Sequence, residues 1–411
     1  MPEPIALTDI TAARERGRRV VLETPALPSS SFSRLIGSDV WLKAENLQRT
    51  GSFKIRGGMN AISLLSKEAR ASGVVAASAG NHAQGVALAA AELGVRATVF
   101  MPENAAIPKV SATRAYGAAI ELVGSSLAEA TDHAQAFAAR TGGAFIHPFD
   151  DPHIVAGQGT LGLELLEQVP ALETIVVPVG GGGLISGVAV AVKASLPDVR
   201  IIGVQSAAVP TYVTARARGV AAPVADRFTV ADGIAVSRPS ALCFEIIERL
   251  VDDLITVEDA QATEAVALLL ERAKYLVEPS GAVGIAAMLH GLVSDPGTTA
   301  VVLSGGNVDL LLLDDVVRHG LEARGRFASI SVVVPDEPGH LAAVLTRIGG
   351  AGGNVLSVDH PREGRGLAFG TVEIRVTLET RGIEHMHGIL DALGDYEVSD
   401  THRGRGNGST P

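Results

Sequence analysis

The chain has 411 residues, enough for two or three compact units that each bury a core. A formal net charge of -11 and a pI near 5.5, with no basic run or aromatic-basic interleaving, argue against nucleic acid as a partner. Cys243 is the only cysteine, which excludes an intrachain disulfide and a cysteine-rich metal site, fits a reducing compartment, and reads as a small core residue.

Met1 to Arg19 is broken by Glu3, Asp9, Arg14 and Glu15, so it lacks the apolar core of a signal peptide and points to a soluble cytoplasmic protein. Short β-branched runs then recur at Gly73 to Ala77, Ala97 to Met101, Ala119 to Val123, Thr174 to Val179, Ile201 to Gln205 and Thr299 to Ser304. Helical spacing of apolar residues separates them at Asn81 to Leu93, Ala105 to Tyr116, Leu127 to Thr141, Thr160 to Gln168 and Leu184 to Leu196. The alternation predicts an α/β fold with one or two open parallel sheets and a ligand at the carboxyl ends of the strands. Thr174 to Val192 approaches membrane-spanning length, but Pro178 and four consecutive glycines make it strand, loop and helix instead.

After Ser304 the texture changes. A helix from about Val308 to Glu322 leads to the polar hinge 323–326. A β-α-β-β-α-β order follows: strand Phe327 to Val334, helix His340 to Gly349, strand Asn354 to His360, turn Pro361 to Gly366, strand Leu367 to Leu378, helix Ile383 to Leu393, and a last strand near Tyr396 to Ser399. This predicts a ferredoxin-like unit over 327–402 and a disordered tail over 403–411.

Four segments carry chemistry. Lys54 lies in Thr50-Gly51-Ser52-Phe53-Lys54-Ile55-Arg56-Gly57-Gly58; an amine bracketed by small and apolar groups loses its proton more easily and can form a Schiff base, although the same sequence would serve as the start of an amphipathic helix with a surface lysine. Ser78-Ala79-Gly80-Asn81-His82 ends a strand and opens a helix, which suits either a carboxylate held by free backbone N–H groups or ordinary capping by Ser78 or Asn81. Gly180, Gly181, Gly182 and Gly183 precede the helix that starts at Leu184, as a phosphate cup or as a tight turn, and no dinucleotide or P-loop glycine spacing is present. Ser304-Gly305-Gly306-Asn307 ends a strand with a hydroxyl that could meet a ring nitrogen or cap the next helix.

Together with Tyr275-Leu276-Val277-Glu278-Pro279-Ser280-Gly281-Ala282, these motifs resemble the threonine dehydratase (threonine ammonia-lyase) branch of fold-type II pyridoxal-phosphate enzymes, over about residues 5 to 322. The C-terminal unit, with Asp336-Glu337-Pro338-Gly339 at its first strand-helix turn, is similar to an ACT regulatory domain. The resemblance implies a catalytic domain over 1–322, with a small subdomain at roughly 45–150, and a regulatory domain over 327–402.

It further implies that Lys54 holds pyridoxal 5'-phosphate and removes the substrate α-proton, that Phe53 packs against the ring, and that Asn81 bonds its phenolic oxygen. Ser78, Ala79, Gly80, Asn81 and His82 would take the substrate carboxylate, Gly180 to Gly183 with Leu184 the phosphate, and Ser304 the pyridine nitrogen as a neutral partner. The reaction implied is L-threonine to 2-oxobutanoate and ammonia, with L-serine as a poorer substrate giving pyruvate. Two departures bear on this. Racemases of the same fold carry a serine where Ala79 stands, and the cation-binding relatives carry acidic residues where this chain has Gln205-Ser206-Ala207-Ala208, so neither racemisation nor a metal site is expected.

The competing readings are a serine dehydratase, racemase or hydroxyaspartate dehydratase of the same fold, and a cofactor-binding or amino-acid sensor without turnover. For the C-terminal unit the resemblance suggests an effector site at Asp336, Glu337, Pro338, Gly339 and Asn354 across a subunit interface. Isoleucine, opposed by valine, fits a role in isoleucine biosynthesis, within a homotetramer. The alternative is a domain that only cements the oligomer.

Overall fold

A computed structural model describes residues 5–362 and 367–400. The expected tail at 403–411 and part of the expected turn Pro361 to Gly366 lie outside the described residues. Contacts divide the chain into two compact units, Met1–Leu313 and Asp314–Pro411, so the division falls inside helix Leu310–Ala323 and ahead of the 323–326 hinge.

The first unit contains two sheets. The larger has six strands in the spatial order Ala26–Pro28, Val40–Ala44, Thr299–Leu303, Thr174–Pro178, Arg200–Ser206 and Asp253–Val257, all parallel except the first. The smaller has four parallel strands in the order Ala119–Leu122, Ala97–Met101, Val74–Ala77 and Ala144–Phe145. The expected α/β fold with parallel sheets is therefore present, and buried aliphatic strands such as Thr174–Pro178 and Thr299–Leu303 form its centre. The uncharged stretch from Thr174 resolves into strand Thr174–Pro178, a loop and helix Gly183–Lys193, as expected. Among the described residues no helix is long and apolar enough to cross a membrane.

Several elements depart from the sequence reading. Helix Pro152–Gln168 begins eight residues before the expected Thr160. Asp151 caps it and Pro152 opens it, while Gly157 and Gly159 obscure its apolar spacing. Those glycines are packing requirements. A Cβ on Gly157 would lie 2.6 Å from Gly57 Cα, and one on Gly159 would lie 2.8 Å from Gly187 O, so neighbouring helix backbones approach where side chains are absent. Strand Val40–Ala44 was not anticipated, because its short run includes Lys43.

In the second unit, strands Phe327–Pro335, Asn354–Asp359, Thr371–Glu379 and Glu397–Asp400 form an antiparallel sheet, with helices His340–Gly350 and Ile383–Ala392 between them in the chain. The order is the expected β-α-β-β-α-β. Its third strand starts at Thr371 rather than Leu367, since Gly370 turns into the left-handed region (φ 81°) and Thr371 N–H closes a turn onto Ala368 O.

Candidate active site

The strand ends of the first unit converge on a cavity of about 280 Å³ lined by Phe53, Lys54, the Ser78–His82 segment, Gly180–Leu184 and Ser304. Segments far apart in sequence are tied together at its floor. Phe53 N–H donates to Ser304 O at 3.2 Å, Gly306 N–H to Gly51 O at 2.9 Å, and Asn307 Nδ2 to both Thr50 O and Asn81 Oδ1, at 2.6 and 2.9 Å. Three of the four motifs are thus one hydrogen-bonded construction.

Lys54 is the first residue of helix Lys54–Ser63, and its Nζ donates to Pro148 O at 3.1 Å, 5.1 Å from the Phe53 ring centroid. Burial in the pocket lowers its ammonium pKa to about 8, with Glu278 partly opposing the shift. An amine with that pKa is a usable nucleophile near neutral pH. This resolves the first ambiguity: Lys54 does open a helix, but it points into the pocket rather than to the surface.

Helix N-termini decide the next two. Across the unit, side chains of Ser29, Ser66, Ser126, Asp151 and Ser240 cap the helices that follow them. Helices Asn81–Glu92 and Gly183–Lys193, which start at the pocket, have no side-chain cap, and neither do Lys54–Ser63 and Pro279–Leu289, which also start there. Ser78 Oγ instead accepts from Gly80 N–H at 3.1 Å, and Asn81 is engaged elsewhere. Two helix ends with unpartnered N–H groups and favourable dipoles face one cavity, the arrangement that suits two anionic groups of a ligand.

The glycine cup is held from behind. A Cβ on Gly181 would lie 2.1 Å from Phe149 Cδ1, and one on Gly182 would lie 2.8 Å from Tyr212 Oη and from Cys243 Cβ, with Gly182 at φ 87°. Tyr212, fully buried, donates its hydroxyl to Gly181 O at 2.8 Å and accepts from Ser240 N–H at 3.1 Å. Burial raises its phenol pKa far beyond the usual range, so the hydroxyl stays a donor. Cys243 is likewise buried behind the cup, its thiol pushed up to about 11 by burial, and is a packing residue.

His82 does not offer its ring to a ligand. Its imidazole is buried against Ile146 O at 2.9 Å, and desolvation, reinforced by Lys54, lowers its pKa to about 3, leaving it neutral. Beneath Lys54, Arg56 is bonded bidentately to Glu45 (2.8 and 2.7 Å) and also to Glu164 (2.6 and 2.8 Å). Lys43 completes the array at 2.5 Å from Glu164. These buried ion pairs fix the helix that carries the reactive amine to helix Pro152–Gln168.

Sequence reading did not pick out Tyr212, Phe149, Asp232 or Lys109, which reach the site from loops and helix ends with no motif of their own, and it gave no role to Glu278, which it quoted within the Tyr275 to Ala282 motif. Gln205 is buried and satisfied: its Oε1 accepts from Tyr212 and Val213 N–H at 2.8 and 3.0 Å, and its Nε2 donates to Val179 O at 3.3 Å. No group of three or more His, Cys, Asp or Glu able to hold a metal occurs among the described residues.

Residues 18–305 match the family described as Pyridoxal-phosphate dependent enzyme. The chain belongs to this family. Pyridoxal phosphate is therefore its cofactor, and the cavity of this pyridoxal-phosphate dependent enzyme fits it: a partly deprotonated lysine, a cup in which Gly181 and Gly182 leave no room for a Cβ, and an uncapped helix end for the phosphate. The chain is 46% identical over 397 residues to the L-threonine ammonia-lyase of Thermotoga maritima, covering 96% of this chain and 99% of that one. Among solved structures it resembles threonine deaminase isoform 2 of Solanum lycopersicum (TM-score 0.73, 35% identity, 76% of this chain and 86% of that chain). It also resembles maize serine racemase (TM-score 0.73, 37% identity, 78% and 98%).

The residues expected to form a regulatory site are not adjacent in one chain. Asn354 pairs in register with Glu379 opposite Phe327, whereas Asp336, Glu337, Pro338 and Gly339 follow Pro335 at the other end of strand Phe327–Pro335. Eight residue steps separate the two ends, about 26 Å of extended chain. Asn354 Nδ2 donates to Glu379 Oε2 at 2.9 Å.

Proposed function

We propose that this chain is a threonine ammonia-lyase, converting L-threonine to 2-oxobutanoate and ammonia, and L-serine more slowly to pyruvate. The observation that carries the reading is the 46% identity to an L-threonine ammonia-lyase over nearly the full length of both chains. The lysine-centred pocket described above supports it.

When bound, pyridoxal phosphate supplies the electron-accepting ring that acidifies the bond between Cα and hydrogen. Lys54 would hold the cofactor and would take the proton from substrate Cα; its lowered pKa suits a base at neutral pH. Within Ser78 to His82 the N–H groups left open at the helix end would bind the substrate carboxylate, those of Ser78 and Gly80 being bonded to Phe100 O and Ser78 Oγ, and the N–H groups of Gly180 to Leu184 would bind the phosphate. Ser304, 4% exposed and lining the cavity, would serve as a neutral partner for the ring nitrogen, and Phe53 would pack against the ring. The β-hydroxyl leaves as water, and water re-enters as ammonia departs, so the balance is threonine to 2-oxobutanoate plus ammonia. Ala79 offers no hydroxyl to return a proton to the opposite face, which disfavours the racemase reading despite the likeness to maize serine racemase.

The second unit is read as an amino-acid-responsive domain with isoleucine and valine as effectors. Because Asp336 to Gly339 and Asn354 lie at opposite ends of the sheet, a shared effector site requires a second copy of the chain, in line with a cytoplasmic homotetramer. Calorimetry with isoleucine and valine tests this, and absence of heat with either rejects the domain's regulatory role.

The primary test measures visible absorbance and 2-oxobutanoate production by purified wild type and Lys54→Ala, with borohydride reduction and peptide mapping. A yellow, active wild type, an inactive variant and an adduct on Lys54 are expected. A colourless, inactive wild type, or an adduct elsewhere, overturns the assignment. Faster turnover of serine than of threonine would replace the substrate.

A further inference from the structure

One ionisable side chain in the pocket has no role in the scheme above. Glu278 is the N-cap residue of helix Pro279–Leu289, yet its side chain does not cap that helix. It is 6% exposed and turns toward Asn81, whose Nδ2 donates to Glu278 Oε1 at 2.8 Å. Its own N–H donates to Gly305 O at 3.0 Å. A Cβ on Gly305 would lie 2.5 Å from Glu278 Oε1 and 3.1 Å from Asn81 Nδ2, so the pair is packed into the bend that follows Ser304. Buried carboxylates are normally paired with cations. Among the described residues Glu278 makes no salt bridge, and its partner is a neutral amide.

Asn81 is gripped at both ends. Its Oδ1 accepts from Asn307 Nδ2 at 2.9 Å, and Asn307 Nδ2 is itself anchored on Thr50 O at 2.6 Å. The two partners fix which end of the amide is nitrogen. Nδ2 carries two hydrogens; Glu278 takes one, and the other remains for the pocket.

We propose that Glu278 is a positioning residue that fixes Asn81 as a hydrogen-bond donor toward the ring oxygen of bound pyridoxal phosphate and, through its own charge, controls how firmly the Lys54 nitrogen keeps its proton. The inference rests on the proposed cofactor chemistry. The groups facing Glu278 are Asp232, which is like-charged, and Lys109 and Lys54, which oppose it; Asp232 and Lys109 are themselves paired at 3.0 Å. Burial, reinforced by Asp232, raises the Glu278 pKa to about 7, so its charge changes within the working range. An ionised Glu278 stabilises positive charge at the nearby Lys54 nitrogen; a neutral one does not.

The test is a pH titration of the visible spectrum of wild-type holoenzyme and of Glu278→Gln, together with pyridoxal phosphate affinity measured by fluorescence for these and for Glu278→Ala. In Glu278→Gln the spectral midpoint should move to lower pH by about one unit, while affinity stays within about twofold, because glutamine retains the acceptor but not the charge. Glu278→Ala should bind the cofactor about tenfold more weakly, the loss of one buried hydrogen bond. In an Asn81→Ala background, the added Glu278→Ala change should leave affinity unaltered. Coincident midpoints in wild type and Glu278→Gln, or undiminished affinity in Glu278→Ala, overturn the proposal while a coloured, active wild type leaves the threonine ammonia-lyase reading intact. A colourless wild type overturns both.

Discussion

Replacing Lys54 by methionine should abolish activity and at the same time make the cofactor-free protein more stable at neutral pH. In the folded chain the Lys54 ammonium pKa is about 8 against 10.5 for a free lysine, and burial is the principal cause. A depression of that size corresponds to about 3 kcal/mol held against the folded state whenever the amine is charged. Methionine removes the charge at similar length, but forfeits the bond to Pro148 O, worth about 1 kcal/mol, so the net gain is about 2 kcal/mol.

The gain has a defined pH window. Below about pH 8 both folded and unfolded chains carry the proton, and the full penalty is present. Between about 8 and 10.5 the unfolded chain binds more protons than the folded one, so wild-type stability rises with pH and the methionine advantage shrinks. Urea unfolding of the two cofactor-free proteins, followed by the fluorescence of Trp41, the sole tryptophan and part of strand Val40–Ala44, reads this directly. An advantage near 2 kcal/mol at pH 7 that approaches zero by about pH 9.5 is expected. A methionine variant no more stable than wild type at pH 7, or an advantage that does not change with pH, would refute the account of Lys54 as a desolvated amine.

Two further changes probe the scaffold. Arg56→Met leaves Glu45 without its bidentate partner and Glu164 with Lys43 alone, and should cost about 3–5 kcal/mol in urea unfolding; a loss below about 1 kcal/mol would show that the buried ion pairs do not fix the Lys54 helix. Tyr212→Phe removes the hydroxyl between Gly181 O and Ser240 N–H, and should destabilise the protein by about 1–2 kcal/mol and weaken pyridoxal phosphate binding several-fold. Unchanged affinity in a fluorescence titration would mean that the glycine cup keeps its shape without Tyr212.

The alternation of aliphatic strands with alanine-rich helices was legible because strands buried on both faces must be apolar throughout, and Thr174–Pro178 and Thr299–Leu303 are. The site was legible where chemistry needs a particular residue type in a contiguous stretch: an amine at Lys54, bare backbone at Gly180 to Gly183, a hydroxyl at Ser304. What the local pattern left ambiguous was decided by tertiary contacts. Lys54 could have been a surface residue, and only the convergence of Pro148, Phe53 and Ser304 around it gives it a depressed pKa. Ser78 and Asn81 could have been caps, until their side chains found other partners and left the helix end open.

Other features had no sequence signal at all. Nothing local announces that Glu164, more than a hundred residues on, will neutralise Lys43 and Arg56 in the core, or that Arg56 will also pair with Glu45 there. Tyr212 became a functional candidate only when the fold set it behind Gly181. Sequence by itself determined the alternation of strands and helices and the reacting groups, because propensity, burial period and residue chemistry are local properties. Tertiary structure alone decided protonation, side-chain orientation and which backbone groups remain free, because desolvation and hydrogen bonding depend on what the rest of the chain brings within a few ångströms.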